Sequence, residues 1–319
     1  MLNLNIPKML PDELGTAYFE HVASGNTLTT EELFSRVRKA KSRLQRPSKA
    51  HLIAEIAGLS DQDFVCSHTC KPFYGAFECT SRWCHPHGAN ERGSPNNPML
   101  NHRRFGYYLC PQCASEDLEF WGRSYWRRSH QIVGVSWCSK HEIPLNVVTG
   151  EVLSSQPHKV IDASCECTST PFPSENTIPR RYQKLVSTLL AFQGPAFLPH
   201  LIRILQQQLN RKNYACWTTA HGKRFVSDTI LATCPNQWCH DLFPDFQTKG
   251  AGKYFRDIDA IELGRDDQAV TYVLALAVLY GDPDEAASLI SLLSGAPSRY
   301  QSQPSDQDAV KMSTLTADN

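Results

Sequence analysis

The sequence has no excess charge of either sign. Thirty-two Lys and Arg residues balance thirty-two Asp and Glu residues. Composition therefore offers no bulk attraction to nucleic acid, and any such contact must be local. No long apolar run is present. The most apolar window, 269–280, falls well short of the roughly 20 residues that a spanning helix needs, and the first residues lack the apolar stretch of a secretory signal. The chain has no G-x-x-x-x-G-K-[ST] phosphate loop and no G-x-S-x-G nucleophile elbow. Its acidic residues fall into no evident two-metal arrangement. Strand signals are weak, which argues against an RNase-H-like transposase core. These absences exclude an ATPase and point to a protein that catalyses nothing.

What is present is cysteine. Twelve cysteines in a chain without a secretory signal point to a reducing cytoplasm, with thiols held by metal or buried in a core. Two ligand pairs stand out: Cys110-Pro-Gln-Cys113 and Cys138-Ser-Lys-His141. Each spacing lets two ligands reach one ion, and together they make a Cys3His set for tetrahedral zinc. Four protein ligands leave no position for water, so the expected zinc is structural and not catalytic. Between the pairs lie Phe120, Trp121, Tyr125, Trp126, Ile132, Val133, Val135 and Trp137. This apolar set is too large for a bare zinc finger and predicts a small aromatic core docked on neighbouring helices.

At these residues the sequence resembles the TniQ/TnsD family, the target-site selectors of heteromeric DNA transposons. The resemblance is carried by Tyr108-Leu109-Cys110-Pro111-Gln112-Cys113, by Trp121-Gly122-Arg123-Ser124-Tyr125-Trp126-Arg127-Arg128, and by Cys138-Ser139-Lys140-His141-Glu142-Ile143-Pro144-Leu145. Two further pieces match. They are His68-Thr69-Cys70-Lys71-Pro72-Phe73-Tyr74-Gly75-Ala76-Phe77 and the opening Leu10-Pro11-Asp12-Glu13-Leu14. The similarity covers roughly the first half of the chain.

Taken in order, the periodicity predicts a helix over 12–24 capped by Asp12. A second helix opens on the Thr29/Glu32 capping box. It continues into a basic run, Arg36, Arg38, Lys39, Lys41, Arg43, Arg46 and Lys49, with no acid among them. Such a run contacts phosphates or an acidic partner, or is only a solvated face. A helix capped by Ser48, a turn at Gly58 and a helix capped by Ser60 make a helix-turn-helix pattern. The second of these helices opens with Asp61 and Asp63, which would repel phosphates. Cys66 and Cys70 are expected in the core, while Cys79, Cys84, His85 and His87, or Cys165 and Cys167, are candidates for a second zinc. Residues 222–243 predict a second helix-turn-helix, in which Cys234 and Cys239 are expected as core thiols. Residues 266–280 predict a central helix buried all round.

The predicted fold class is mainly α, with helix-turn-helix modules flanking a zinc-ribbon-like domain. The expected boundaries are an N-terminal helical domain over 1–100, a zinc-binding domain over 101–170, a C-terminal helical domain over 171–295 and a disordered tail over 296–319. The resemblance implies a non-catalytic adaptor in the bacterial cytoplasm, associated with the nucleoid and able to form a homodimer. Its partners would be the transposon's AAA+ ATPase and either an RNA-guided Cascade complex or target DNA. The acidic first recognition helix, and a length short of the TnsD members with added DNA-binding modules, favour the Cascade-associated form. Arg36, Lys39, Arg43, Arg46, Arg103, Arg104, Arg127 and Arg128 are the expected nucleic-acid or partner contacts.

Overall fold

The structure, a computed structural model, describes residues 4–40, 47–78, 104, 106–150, 152–164, 166–167, 177–192, 194–215, 223–261 and 269–295. The chain opens with α1 (Gly15–Gly25), α2 (Thr30–Ala40), α3 (Lys49–Ala57), α4 (Asp61–His68) and α5 (Lys71–Tyr74). Next come β1 (Phe77–Glu78), β2 (Tyr107–Leu109), α6 (Pro111–Trp121), β3 (Asn146–Val148), α7 (Pro157–Ser164) and β4 (Glu166–Cys167). The remainder is α8 (Ile178–Ala191), β5 (Ala196–Phe197), α9 (Leu198–Arg211), α10 (Val226–Thr233), α11 (Asn236–Leu242), α12 (Arg256–Asp259), α13 (Ala269–Leu279) and α14 (Pro283–Gly295). The fold is mainly helical, as expected.

Local signals account for most helix ends. Thr29 and Glu32 form the reciprocal capping box: the Thr29 amide donates to Glu32 Oε2 at 2.9 Å, and the Glu32 amide to Thr29 Oγ1 at 3.2 Å. Ser48 accepts from the His51 amide and Ser60 from the Asp63 amide. Gly58, at φ 71°, ends α3 in the left-handed conformation that glycine tolerates. Asp12 departs from expectation. Leu14 is the residue before α1, and Asp12 itself sits at φ 60° with its carboxylate turned to Arg128 and Ser129.

Two apolar cores result. One lies within residues 9–65 and is built from Tyr18, Val22, Leu33, Val37, Leu52, Ile53 and Phe64, all buried. The helices α1 and α4 approach so closely that a Cβ on Gly15 would meet the Phe64 ring at 2.4 Å. The larger core is centred on α13, whose residues are buried on every side, as its all-round apolar pattern predicts. Around it pack α8, α9 and the aromatic residues of the segment 125–137. Trp126, Ile132, Val133, Val135 and Trp137 are buried there and Tyr125 is buried outside that cluster, but Phe120 and Trp121, expected in the same core, are exposed at the end of α6.

The segment 128–134 ties these parts together. Arg128, nearly buried, donates to Asp12 Oδ1 at 2.8 Å, to the Cys66 and Thr69 carbonyls at 2.5 and 3.0 Å, and to the Leu190 carbonyl at 3.1 Å. One guanidinium thus joins the N-terminal strand-like segment, the α4–α5 corner and the end of α8. Arg123 holds the Glu13 carboxylate through two donors, at 2.7 and 2.8 Å. Further along, Gly134 is at φ 81°, and a Cβ there would meet Leu242 at 2.6 Å and Tyr182 at 2.8 Å. Its carbonyl accepts from the Trp238 indole at 2.8 Å.

Replacing Arg128 by methionine should therefore orphan three backbone carbonyls and remove the counter-charge of the Asp12 carboxylate. The expected loss is about 3–5 kcal/mol, read as a lower urea midpoint, because the partners of a buried charge are left unpaired. Arg128→Lys should not restore stability, since an ammonium cannot span this fork. A lysine variant as stable as the wild type would refute this account.

Candidate metal centre

The metal-ligand pairs are brought together by a three-stranded antiparallel sheet in the order β2-β3-β4. In its register Leu109 faces Asn146. Cys110, directly after β2, is therefore placed beside the end of the second knuckle, directly before β3. Pro111 occupies the first helical position of α6, where its missing N–H costs nothing. Cys110 is the N-cap and Cys113 the third helical residue, so both sulfurs lie on the first turn, and the Cys113 amide points at Cys110 Sγ at 3.5 Å. The second knuckle closes on itself. The Cys138 amide donates to the Ile143 carbonyl and the Glu142 amide to the Cys138 carbonyl, both at 2.9 Å, with Glu142 at φ 55°.

The four ligand atoms lie within 4.8 Å of one another. His141 Nδ1 is 3.3, 3.4 and 3.6 Å from the sulfurs of Cys110, Cys113 and Cys138, and the Cys113 and Cys138 sulfurs are 3.6 Å apart. Tetrahedral zinc with ordinary Zn–S and Zn–N bonds requires edges of about 3.4–3.8 Å. The donor set and its spacing fit that ion. The three thiols also share protons. Hydrogen bonding to Cys110 and Cys113 holds the Cys138 thiol far below its ordinary value, while hydrogen bonding to Cys110 and Cys138 holds Cys113 well above it. With three sulfurs and one nitrogen directed at one point, no coordination position is left for substrate.

Around the ligands stands a shell that spacing alone did not reveal. Because His141 Nδ1 faces the sulfurs, Nε2 carries the proton and donates to Glu116 Oε1 at 3.0 Å. Glu116 also accepts from Lys140. A carboxylate behind a ligating histidine fixes its tautomer and raises its basicity. The available signal was position: Glu116 is three residues after Cys113, on the same helix face.

The expected contact arginines separate sharply. Arg104 and Arg128 are buried. Arg104 donates to the His130, Ile132 and Val135 carbonyls at 3.2, 3.4 and 2.6 Å and covers the Tyr108 ring at 3.1 Å from its centre. Arg127 pairs with Asp117 at 2.6 Å and stacks on Tyr125. Burial pushes the Asp117 carboxyl up, and the Arg127 guanidinium opposes that shift. These three arginines serve the protein's own interior, because buried backbone carbonyls need donors. Arg36 and Lys39 are exposed on α2. Arg43, Arg46 and Arg103 lie outside the described residues, as do Cys79, Cys84, His85, His87, Cys165 and the segment 296–319.

Among the described residues, Cys110, Cys113, Cys138 and His141 form the one metal-competent group. Cys70 is a core thiol that burial pushes up to about 12, and Cys234 and Cys239 are buried as well. None of the described helices is long and apolar enough to cross a membrane.

The structure is thus a mainly helical chain that gathers a Cys3His cluster beside a small antiparallel sheet. Residues 5–145 match the TniQ family model, so the chain carries a TniQ family domain over that span. The matched span begins before the Leu10–Leu14 segment and ends on the last residue of the second knuckle motif. The TniQ family is implicated in target selection for transposition, and its proteins are non-catalytic transposition factors. No match to the chain is found among curated proteins.

Cys113→Ser should abolish stoichiometric zinc and leave the protein partly unfolded or insoluble, because metal binding contributes folding free energy. Glu116→Gln should keep the fold and weaken zinc by about 10–100-fold in chelator competition. Unchanged affinity in Glu116→Gln would remove that carboxylate from the centre's design.

Proposed function

We propose that the chain is a non-catalytic target-selection adaptor for DNA transposition. In this reading it links an RNA-guided Cascade complex at the target to the transposon's AAA+ ATPase, and its Cys3His centre holds a structural zinc. The observation that carries the reading is the TniQ domain match over residues 5–145, which ends at the closed metal cluster. Two features support the guide-complex form. The first recognition-type helix, α4, opens with Asp61 and Asp63, whose charge is unfavourable beside phosphates. The cations of the metal region, Arg104, Arg127 and Arg128, bond internal carbonyls and carboxylates and support the scaffold.

A second reading is a TnsD-like protein that binds an attachment site itself and recruits the ATPase. It is favoured by α11, which exposes Asn236, Gln237 and His240 and carries no acid in its first turn.

The two readings part in one experiment. Zinc-loaded protein is used to select genomic DNA fragments for sequencing, with and without a co-expressed guide complex. The adaptor reading expects no enriched locus for the protein alone, stable co-elution with the guide complex, and capture of the ATPase by that assembly. Enrichment of one locus by the protein alone would replace it with the direct binder. Failure to retain the ATPase in either setting would refute both.

A further inference from the structure

A cavity of about 200 Å³ opens between the second knuckle and the outer side of α8. Its two walls come from distant parts of the chain. On α8, positions 180, 183, 184 and 187 follow helical spacing and share one face. That face lies opposite the buried stripe of Tyr182, Leu185, Val186 and Leu189, and it presents Arg180, Gln183, Lys184 and Ser187 to the cavity. The other wall is the knuckle turn, which contributes Ser139 and Glu142 beside the metal ligand Cys138. Two bonds tie the walls together. Gln183 Nε2 donates to the Trp137 carbonyl at 3.0 Å, and Arg180 Nη2 donates to Glu142 Oε1 at 2.5 Å. The knuckle wall falls inside the span that the family model matches and the α8 wall falls outside it.

The lining is polar, and its charge is one-sided. Arg180 and Lys184 face one acid, Glu142, and α8 itself carries no Asp or Glu. The present partners of both cations are carboxylates that stand largely in water. Glu142 is 56% exposed, and Asp284, which accepts from Lys184 Nζ at 2.8 Å, is 69% exposed. Ion pairs of this kind are weak, because water competes for both members. An incoming anion can therefore replace either carboxylate without leaving a buried charge unpaired. A single water needs roughly 10–15 Å³, so this space takes a group of several atoms. A guanidinium holds a carboxylate through two parallel N–H donors. Ser187 Oγ donates its proton to the Gln183 carbonyl at 3.2 Å, and its lone pairs remain to accept from an amide.

We infer that this cavity binds an aspartate or glutamate side chain on a peptide segment of a partner protein. The carboxylate displaces Glu142 from Arg180, Lys184 turns from Asp284 to the same group, and Ser187 Oγ accepts from the peptide backbone. A peptide side chain is favoured over a nucleic-acid phosphate for two reasons. It reaches into a recess on its own stem, whereas a phosphate is bound into its backbone on both sides. The amide beside it also gives Ser187 a donor that the sugar–phosphate chain of DNA lacks. This site goes beyond the target-selection reading and does not depend on it.

The test is fluorescence anisotropy of the zinc-loaded full chain with a fluorescein-labelled peptide of alternating glutamate and serine. The same peptide with glutamine for glutamate, a single-stranded DNA of equal charge and inorganic phosphate are run beside it. The acidic peptide should bind, and the glutamine peptide should not. Arg180→Gln together with Lys184→Gln should weaken binding about tenfold or more, with zinc content and urea midpoint unchanged. Glu142→Gln should tighten binding about two- to fivefold, because the carboxylate that competes for Arg180 is gone. Glu31→Gln, on exposed α2, changes the net charge equally and should leave binding as in the wild type. The inference is overturned if the wild type does not bind the acidic peptide or binds the glutamine peptide as well. It is equally overturned if the double variant binds like the wild type, if Glu142→Gln fails to tighten binding or Glu31→Gln tightens it as much, or if the DNA or inorganic phosphate displaces the peptide at equal concentration.

Discussion

The Arg128 guanidinium reaches Asp12, the Cys66 and Thr69 carbonyls and the Leu190 carbonyl at once. A buried cation is tolerable only with a counter-charge and filled donors, and here Asp12 supplies the charge while backbone oxygens take the rest. The exchange is mutual. Those carbonyls end α4 and α8, where helices leave oxygens without internal partners. The planar fork of arginine fits several acceptors at fixed angles, which an ammonium on a flexible stem does not. Once Arg128 is seated, the turn that carries it is fixed, and the chain from Ile132 to Trp137 enters the core on a set path.

That path leads to the metal centre from one side, and the sheet delivers the other. Cys110 follows β2, and the second knuckle precedes β3, so pairing of the strands is what closes the ligand set. On the far side of the same segment, the Val133 carbonyl accepts from Tyr182 and the Gly134 carbonyl from Trp238, while the Trp137 carbonyl accepts from Gln183. The metal region is therefore the middle of the molecule in a mechanical sense. It is bonded to the N-terminal segment through Glu13 and Asp12, and to the C-terminal helices through α8 and α11.

The functional consequence is a division of the cations. Arg104, Arg127 and Arg128, beside the metal motif, point inward and organise the scaffold. Arg36 and Lys39 on α2 stay in solvent.

Much of this was legible locally. The four metal ligands, the caps at Thr29, Ser48 and Ser60, the turn at Gly58 and the buried character of α13 all depend on residues within a few positions of one another, and spacing or periodicity records such relations. Other features were not legible, for a physical reason. Whether Arg128 meets phosphates or carbonyls depends on residues more than fifty positions away. The same holds for Asp12, whose spacing suits a helix cap and whose carboxylate instead serves Arg128. Phe120 and Trp121 share the apolar composition of their neighbours, but they stay exposed at the end of a helix that packs against α7. The chemistry of each ligand was therefore determined by the sequence, while the choice between interior and surface for each charge was decided by tertiary structure, because burial is a property of distant neighbours and not of the residue itself.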